Sequence, residues 1–255
     1  GFFMEEQRLY GLNNEKIIIN YLNGKTMKEL NAKWKEHLYK MFPKAKENSV
    51  IYAKHYPDMS AKPDMMLIVD GEDKYVSIKT GDCPSVHHEP YCAFKRFLIK
   101  NGVSKRTIEI IRFYHYGDSK KLHTGDNPMN VNEMKEKYMK YFDEASDELN
   151  SEHIVKAVIS RSIVRGTGAG RTPIDFLYYG DLEHGKVISR DEIYEIILAN
   201  RDSSSPIHIS SLNYYPNTRK INSKERNTIR IKWPMLSFLY YCDDSAIEKM
   251  KKGEF

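Results

Sequence analysis

The chain has 255 residues, of which 40% are hydrophobic and 29% charged, and it carries a formal net charge of +5. That composition, with a mean hydropathy of −0.63, excludes a fibrous or wholly disordered chain, and no apolar run approaches membrane-spanning length. Three cysteines, Cys83, Cys92 and Cys242, exclude a disulfide-framed scaffold, and an isoelectric point near 8.8 permits a nucleic-acid partner without requiring one.

Gly1 to Phe3 are too short for a signal peptide and read as a remnant before a natural start at Met4, so a cytoplasmic location is expected. Asn14 is placed to cap a helix from Glu15 to Leu22. Glu15 then stands in the first turn, where an acid complements the helix dipole. Thr26 and Glu29 form a capping-box pattern for a helix from Met27 to Met41. Leu30, Trp34, Leu38 and Met41 repeat at helical spacing and mark its core face. Residues 43 to 63 are polar, carry prolines at 43, 57 and 63, and read as loop.

Residues 62 to 89 carry the densest information. Asp64 opens an apolar run from Met65 to Val69, Asp70-Gly71 is a hairpin turn signal, and a second run extends from Tyr75 to Lys79. Strand alternation puts Ser77 and Lys79 on one face. Pairing across the turn brings Asp64 to Lys79 at the open end of the hairpin. A carboxylate there suits a hard cation such as Mg²⁺, and the ammonium can stabilise a phosphate under attack or orient the attacking water. Mg²⁺ binds protein through one or two carboxylates, so a second acid is expected nearby. The earlier pair Pro57-Asp58 precedes no apolar strand, which favours Asp64.

After the hairpin, Tyr91 to Lys100 reads as a helix ended by Gly102, with Glu89 at its start. Thr107 to Tyr116, rich in β-branched and aromatic residues, reads as a strand. A loop from 117 to 130 follows, and Asn130 with Glu133 caps a long helix to about Leu149. A further helix runs from Glu152 to Val164. The stretch Arg165-Gly-Thr-Gly-Ala-Gly-Arg-Thr172 lacks the Gly-Lys-Ser/Thr of a phosphate-binding loop, and Arg165 and Arg171 make it a basic loop for phosphate contact or a plain connector. Ile174 to Tyr179 and Lys186 to Ile188 suggest a hairpin, and Ser189 with Glu192 caps a helix to Ala199. The tail holds two alternating strands joined by a basic turn. Arg230 and Lys232 fall on one face of the last strand, fit to track phosphates, and Ile229 and Ile231 on the other. Cys83, His87, His88 and Cys92 lie within ten positions, but their spacing is unlike that of a zinc finger. His87 or His88 beside a metal or phosphate is the alternative.

Pro63-Asp64 followed at hairpin distance by Ser77-Ile78-Lys79 resembles the motif of the PD-(D/E)xK nuclease superfamily, with Ser77 where that pattern has an acid. The resemblance implies an α/β fold of restriction-endonuclease type, a mixed central sheet flanked by helices. It implies one nuclease domain over 1–255, with a catalytic core at about 10–116 and elaborations beyond. The implied activity is metal-dependent DNA endonuclease, type II restriction-like, using Mg²⁺ with Mn²⁺ as a substitute. Asp64 and Glu89 would hold the metal, Glu15 being the next candidate, because an acid on the first helix approaches the metal in many of these nucleases. Lys79 would assist the attack. Double-stranded DNA is the implied partner, and two cuts imply a homodimer. Ser77 keeps open a binding module that has lost catalysis, as well as a repair, transposition or RNA nuclease.

Overall fold

Asp70 and Gly71 both take positive φ, 51° and 77°, the backbone of the tight two-residue turn that suits paired strands. They join β2 (Met65–Val69) to β3 (Glu72–Lys79), antiparallel, with Val69 opposite Glu72 and Met65 opposite Val76. This is the expected hairpin, and a computed structural model sets it in the middle of a five-stranded mixed sheet. The described residues are 2–117, 128–168, 170–201, 203–235, 248 and 252.

On one side of the hairpin lies β1 (Ile51–His55), antiparallel to β2. On the other lies β5 (Phe176–Gly180), parallel to β3, and then β6 (Gly185–Ser189), antiparallel to β5. A second, four-stranded antiparallel sheet has the order β4 (Ser85–Pro90), β9 (Thr228–Lys232), β8 (Leu212–Pro216), β7 (His208–Ile209).

Helices α1 (Phe2–Leu22) and α2 (Ala32–Met41) share a core with the first sheet: Ile18, Leu22, Trp34 and Leu38 pack with Leu67, Val76 and Ile78. Trp34 stacks on Tyr178 of β5 at 4.9 Å between ring centres. Tyr179, the next residue along β5, belongs instead to a larger core. The larger core is built from α3 (Tyr91–Lys100), α4 (Lys105–Tyr116), α5 (Val131–Leu149), α6 (Glu152–Ile159), α7 (Arg190–Ala199) and the second sheet. A strand buried on both faces, as β5 is, belongs at the centre of a sheet covered by helices on both sides. Among the described residues no helix is long and apolar enough to cross a membrane.

Four sequence expectations are corrected. Residues 107 to 116 are helical. Ser104 caps α4 by accepting from the Thr107 amide, Gly117 ends it at φ 73°, and Ile108, Ile111, Tyr114 and His115 are buried at helical spacing. Periodicity and caps overrode the β-branched composition. The first helix begins at Phe2, so Asn14 lies within it and caps nothing. The Thr26–Glu29 capping box starts only a short 3₁₀ turn, and Asn31 caps α2 through the Trp34 amide at 2.9 Å. The stretch read as loop contains β1, an edge strand whose inward residues are Ile51 and Ala53. The loop expected from 117 to 130 falls largely on 118–127, outside the described residues, as does Cys242.

Candidate active site

Asp64 extends the hairpin ladder by one residue. Its amide donates to the Val76 carbonyl at 2.9 Å, and its carbonyl accepts from the Tyr56 amide at 3.0 Å. That pairing turns the carboxylate toward the end of β3. There Oδ2 accepts from the Ile78 amide at 2.7 Å and from the Ser77 hydroxyl at 3.3 Å. Ser77 is buried and serves as a donor that orients Asp64. Burial pushes the Asp64 carboxyl above the usual range, against the opposing pull of Lys79, these two hydrogen bonds and Lys62. Lys79 is the last residue of β3, opposite Tyr179 of β5.

Glu15 reaches the same place from α1. The neighbouring Asn14 side chain donates to the Gly180 carbonyl at 2.9 Å, which ties the helix to the end of β5. Glu15 is half-buried, and burial, followed by the Asp64 charge, pushes its carboxyl up to about 7, with Lys79 opposing. The first-turn reading of Glu15 is therefore corrected, because the residue sits mid-helix beside two site residues. Asp64, Glu15 and Lys79 form one electrostatic unit. Two partly buried carboxylates close enough for their charges to act on each other are hard oxygen donors whose repulsion a divalent cation would relieve. Among the described residues no group of three or more His, Cys, Asp or Glu side chains is arranged to hold a metal. Two acids plus a substrate phosphate is nevertheless a donor set that suits Mg²⁺.

Glu89 is placed differently from its expected position at a helix start. It lies on β4, opposite Ile229, and α3 begins two residues later. Its carboxylate is buried and engaged: Arg161 donates to both oxygens, at 2.8 and 2.7 Å, and the His87 ring bonds to Oε2. Despite burial, these partners hold the Glu89 carboxyl below its usual range. His87 also meets Lys62, whose ammonium donates to its Nδ1 at 3.1 Å and to the Val86 carbonyl at 2.8 Å. Burial pushes Lys62 down to about 7, with Lys79 adding to the shift. Lys62, His87 and Arg161 thus gather around Glu89, an arrangement that the hairpin motif did not indicate. The local signals were Lys62 immediately before Pro63-Asp64 and His87 in the cluster from Cys83 to Cys92. Cys83 and Cys92 are free thiols, and His87 is taken by Glu89 and Lys62.

The basic residues divide by role. Arg165 is exposed. Arg171 bonds Asp58 at 2.7 Å and Ser60 at 2.9 Å, and Thr172 accepts from Tyr56 at 3.0 Å, so the glycine-rich loop lies against the segment leading into Asp64. Arg230 and Lys232 occupy the half-exposed face of β9, opposite His88 and Ser85 of β4. In the turn before β9, Arg219 donates to the Tyr114 carbonyl and Arg226 is buried beside Tyr116, so both serve the fold.

No family model matches this chain, and no curated protein matches it. Among solved structures, it is similar to the crystal structure of restriction endonuclease MspI in complex with its cognate DNA. The TM-score is 0.52 at 12% identity, over 87% of this chain and 88% of that one. The mixed central sheet flanked by helices is a restriction-endonuclease-like fold.

Proposed function

We propose that this protein is a metal-dependent DNA endonuclease of the type II restriction kind, hydrolysing phosphodiester bonds in duplex DNA. The observation that carries the reading is the Asp64 carboxylate fixed against Ser77 and Ile78 beside the end of β3, within charge range of Lys79 and of Glu15 from α1. The fold supports it, since a protein of the same fold is a restriction endonuclease seen with DNA.

Asp64 and Glu15 would hold Mg²⁺, or Mn²⁺ in its place. The bound ion supplies an acidified water and Lewis-acid stabilisation of phosphate oxygens. Ser77 and the Ile78 amide hold the Asp64 carboxylate in position. Lys79 binds the phosphate and offsets the negative charge that grows on it during attack. Glu89, the other acid expected at the metal, has its oxygens taken by Arg161 and His87, so it would act as a support for Lys62. Arg165, Arg171, Arg230 and Lys232 are the proposed DNA contacts. A duplex break needs both strands cut, and a homodimer would supply two such sites.

The test is incubation of long duplex DNA with Mg²⁺ or with EDTA, followed by sequencing of the ends. Magnesium-dependent ends at a repeated sequence are expected. Intact DNA under both conditions, with DNA still bound, would favour the second reading, a binding module without catalysis, which Ser77 in the acid's place supports.

A further inference from the structure

A cavity of about 230 Å³ opens beside the Asp64–Lys79 site, lined among others by Ser60, Lys62, Ser85, His88, Gly166 and Thr167. Among the described residues no carboxylate lines it. Its cation is held in place by a chain of buried groups. Arg161 clamps Glu89, Glu89 bonds His87, and His87 accepts from the Lys62 ammonium. With Nδ1 accepting from Lys62, the imidazole hydrogen sits on Nε2 and is donated to Glu89, so each link has a matching donor and acceptor. The ammonium has three N–H groups. Two go to the Val86 carbonyl and His87, and among the described residues the third has no partner.

The glycine-rich loop closes the other side. Gly166 has φ 87°, and a Cβ there would stand 3.6 Å from the Lys62 stem. Beside it Thr167 is exposed. At the rim Ser60 donates to Asp58 at 2.6 Å and accepts from Arg171, whose guanidinium is paired with the same Asp58. Lys62, lowered to about 7 by burial and kept protonated by a bound anion, and several hydroxyls form a receptor for a phosphate-sized anion, with the paired Asp58 standing behind Ser60 at the rim. The cavity also runs on to a basic surface. His88 and Ser85 are paired with Arg230 and Lys232, so these side chains share one face of the second sheet.

We propose that this cavity binds one backbone phosphate of the DNA, next to the phosphate under attack, with Lys62 as its cation and the His87–Glu89–Arg161 chain as the device that positions it. The proposal rests on the nuclease reading for its ligand, and its test does not need cleavage.

The experiment measures binding of a fluorescent duplex in EDTA across a salt series. Lys62→Met is expected to weaken binding about tenfold and to lower the salt slope by about 0.9, the loss of one phosphate contact. Lys62→Arg should keep the slope. Thr167→Asp, at an exposed position that spares the fold, should weaken binding by repelling the phosphate. A parallel melt of the intact protein with inorganic phosphate separates the sources. If free phosphate stabilises the protein while Lys62→Met and Thr167→Asp bind DNA as the wild type does, the cavity is a free-anion site and the proposal is overturned. Unchanged DNA affinity and slope in both variants, with no phosphate effect, also overturns it. A wild type that binds DNA without cutting it under Mg²⁺ would sink the nuclease reading and leave the Lys62 comparison decisive. A wild type that binds no DNA would overturn both.

Discussion

Asp64, Glu15 and Glu89 are three acids with three different surroundings, and those surroundings underlie the different tasks proposed for them. Glu15→Gln is expected to shift the Mg²⁺ dependence of cleavage to higher concentration, as Asp64→Asn should. Glu89→Gln should instead destabilise the protein by about 3 kcal/mol in urea unfolding, because it leaves the Arg161 charge without its partner. Equal loss of metal response in Glu89→Gln and Glu15→Gln would reverse that assignment. Lys79→Ala should slow cleavage roughly a hundred- to a thousandfold while DNA stays bound. The Glu15 carboxyl, raised to about 7 from an ordinary 4.5, also predicts a pH effect. The folded form binds this proton more tightly than the unfolded chain, so its stabilising contribution is complete below about 4.5 and is lost as pH rises through 7. Melting of the metal-free protein should show that fall, and Glu15→Gln should flatten it. Asp64, Ser77 and Lys79 were legible because a hairpin fixes who faces whom across a two-residue turn. Lys62 and Arg161 were not, and His87 was legible only as one of two candidate histidines without its partners, because the chain folds far from itself to join them: Arg161 lies 72 residues from Glu89.

Local rules read the elements well where caps and period agree, as in α3, α5 and α7. They failed at α4, where composition argued one way and periodicity the other. They also failed at β1, whose outward residues Tyr52, Lys54 and His55 disguise an edge strand. The turn between β2 and β3 offers a clean test. A Cβ at Gly71 meets nothing within 4 Å, so Gly71→Val should cost only its left-handed backbone, about 1 to 2 kcal/mol by urea unfolding. A larger loss would mean that the turn also makes contacts. On β9, Arg230→Ala and Lys232→Ala should each flatten the salt dependence of DNA binding by about 0.9. Unchanged slopes in both would remove this strand from the DNA.

The whole molecule joins two sheets, and the seam matters for the site. β4 carries His87 and Glu89, yet it pairs with β9, so the groups that hold Lys62 belong to the second sheet. The fold class was legible through the resemblance carried by Pro63-Asp64 and Ser77-Ile78-Lys79, whereas the order helix, hairpin, helix, strand failed at its last member, which is α4. Of the second sheet, the two tail strands were legible, but their β4 edge was not, because Glu89 was read as the start of a helix. If both DNA strands are cut in one event, light scattering should find two copies of the 29.9 kDa chain, and the rate should rise steeply with protein concentration. A single copy at all working concentrations would replace paired cutting with successive nicks.

The parallel pairing of β3 with β5 joins residue 76 to residue 176, and so it sets an order in time. A ribosome that has released residues 1 to 116 has already made Glu15, Asp64 and Lys79. It has not made the strand that flanks Lys79, nor Gly180, whose carbonyl anchors the helix of Glu15. Pairings across such sequence separation form late and slowly. The nascent chain would therefore carry every reactive group of the site for about a hundred residues of synthesis before it could assemble them. For a protein proposed to cut DNA, that delay keeps unfinished chains harmless.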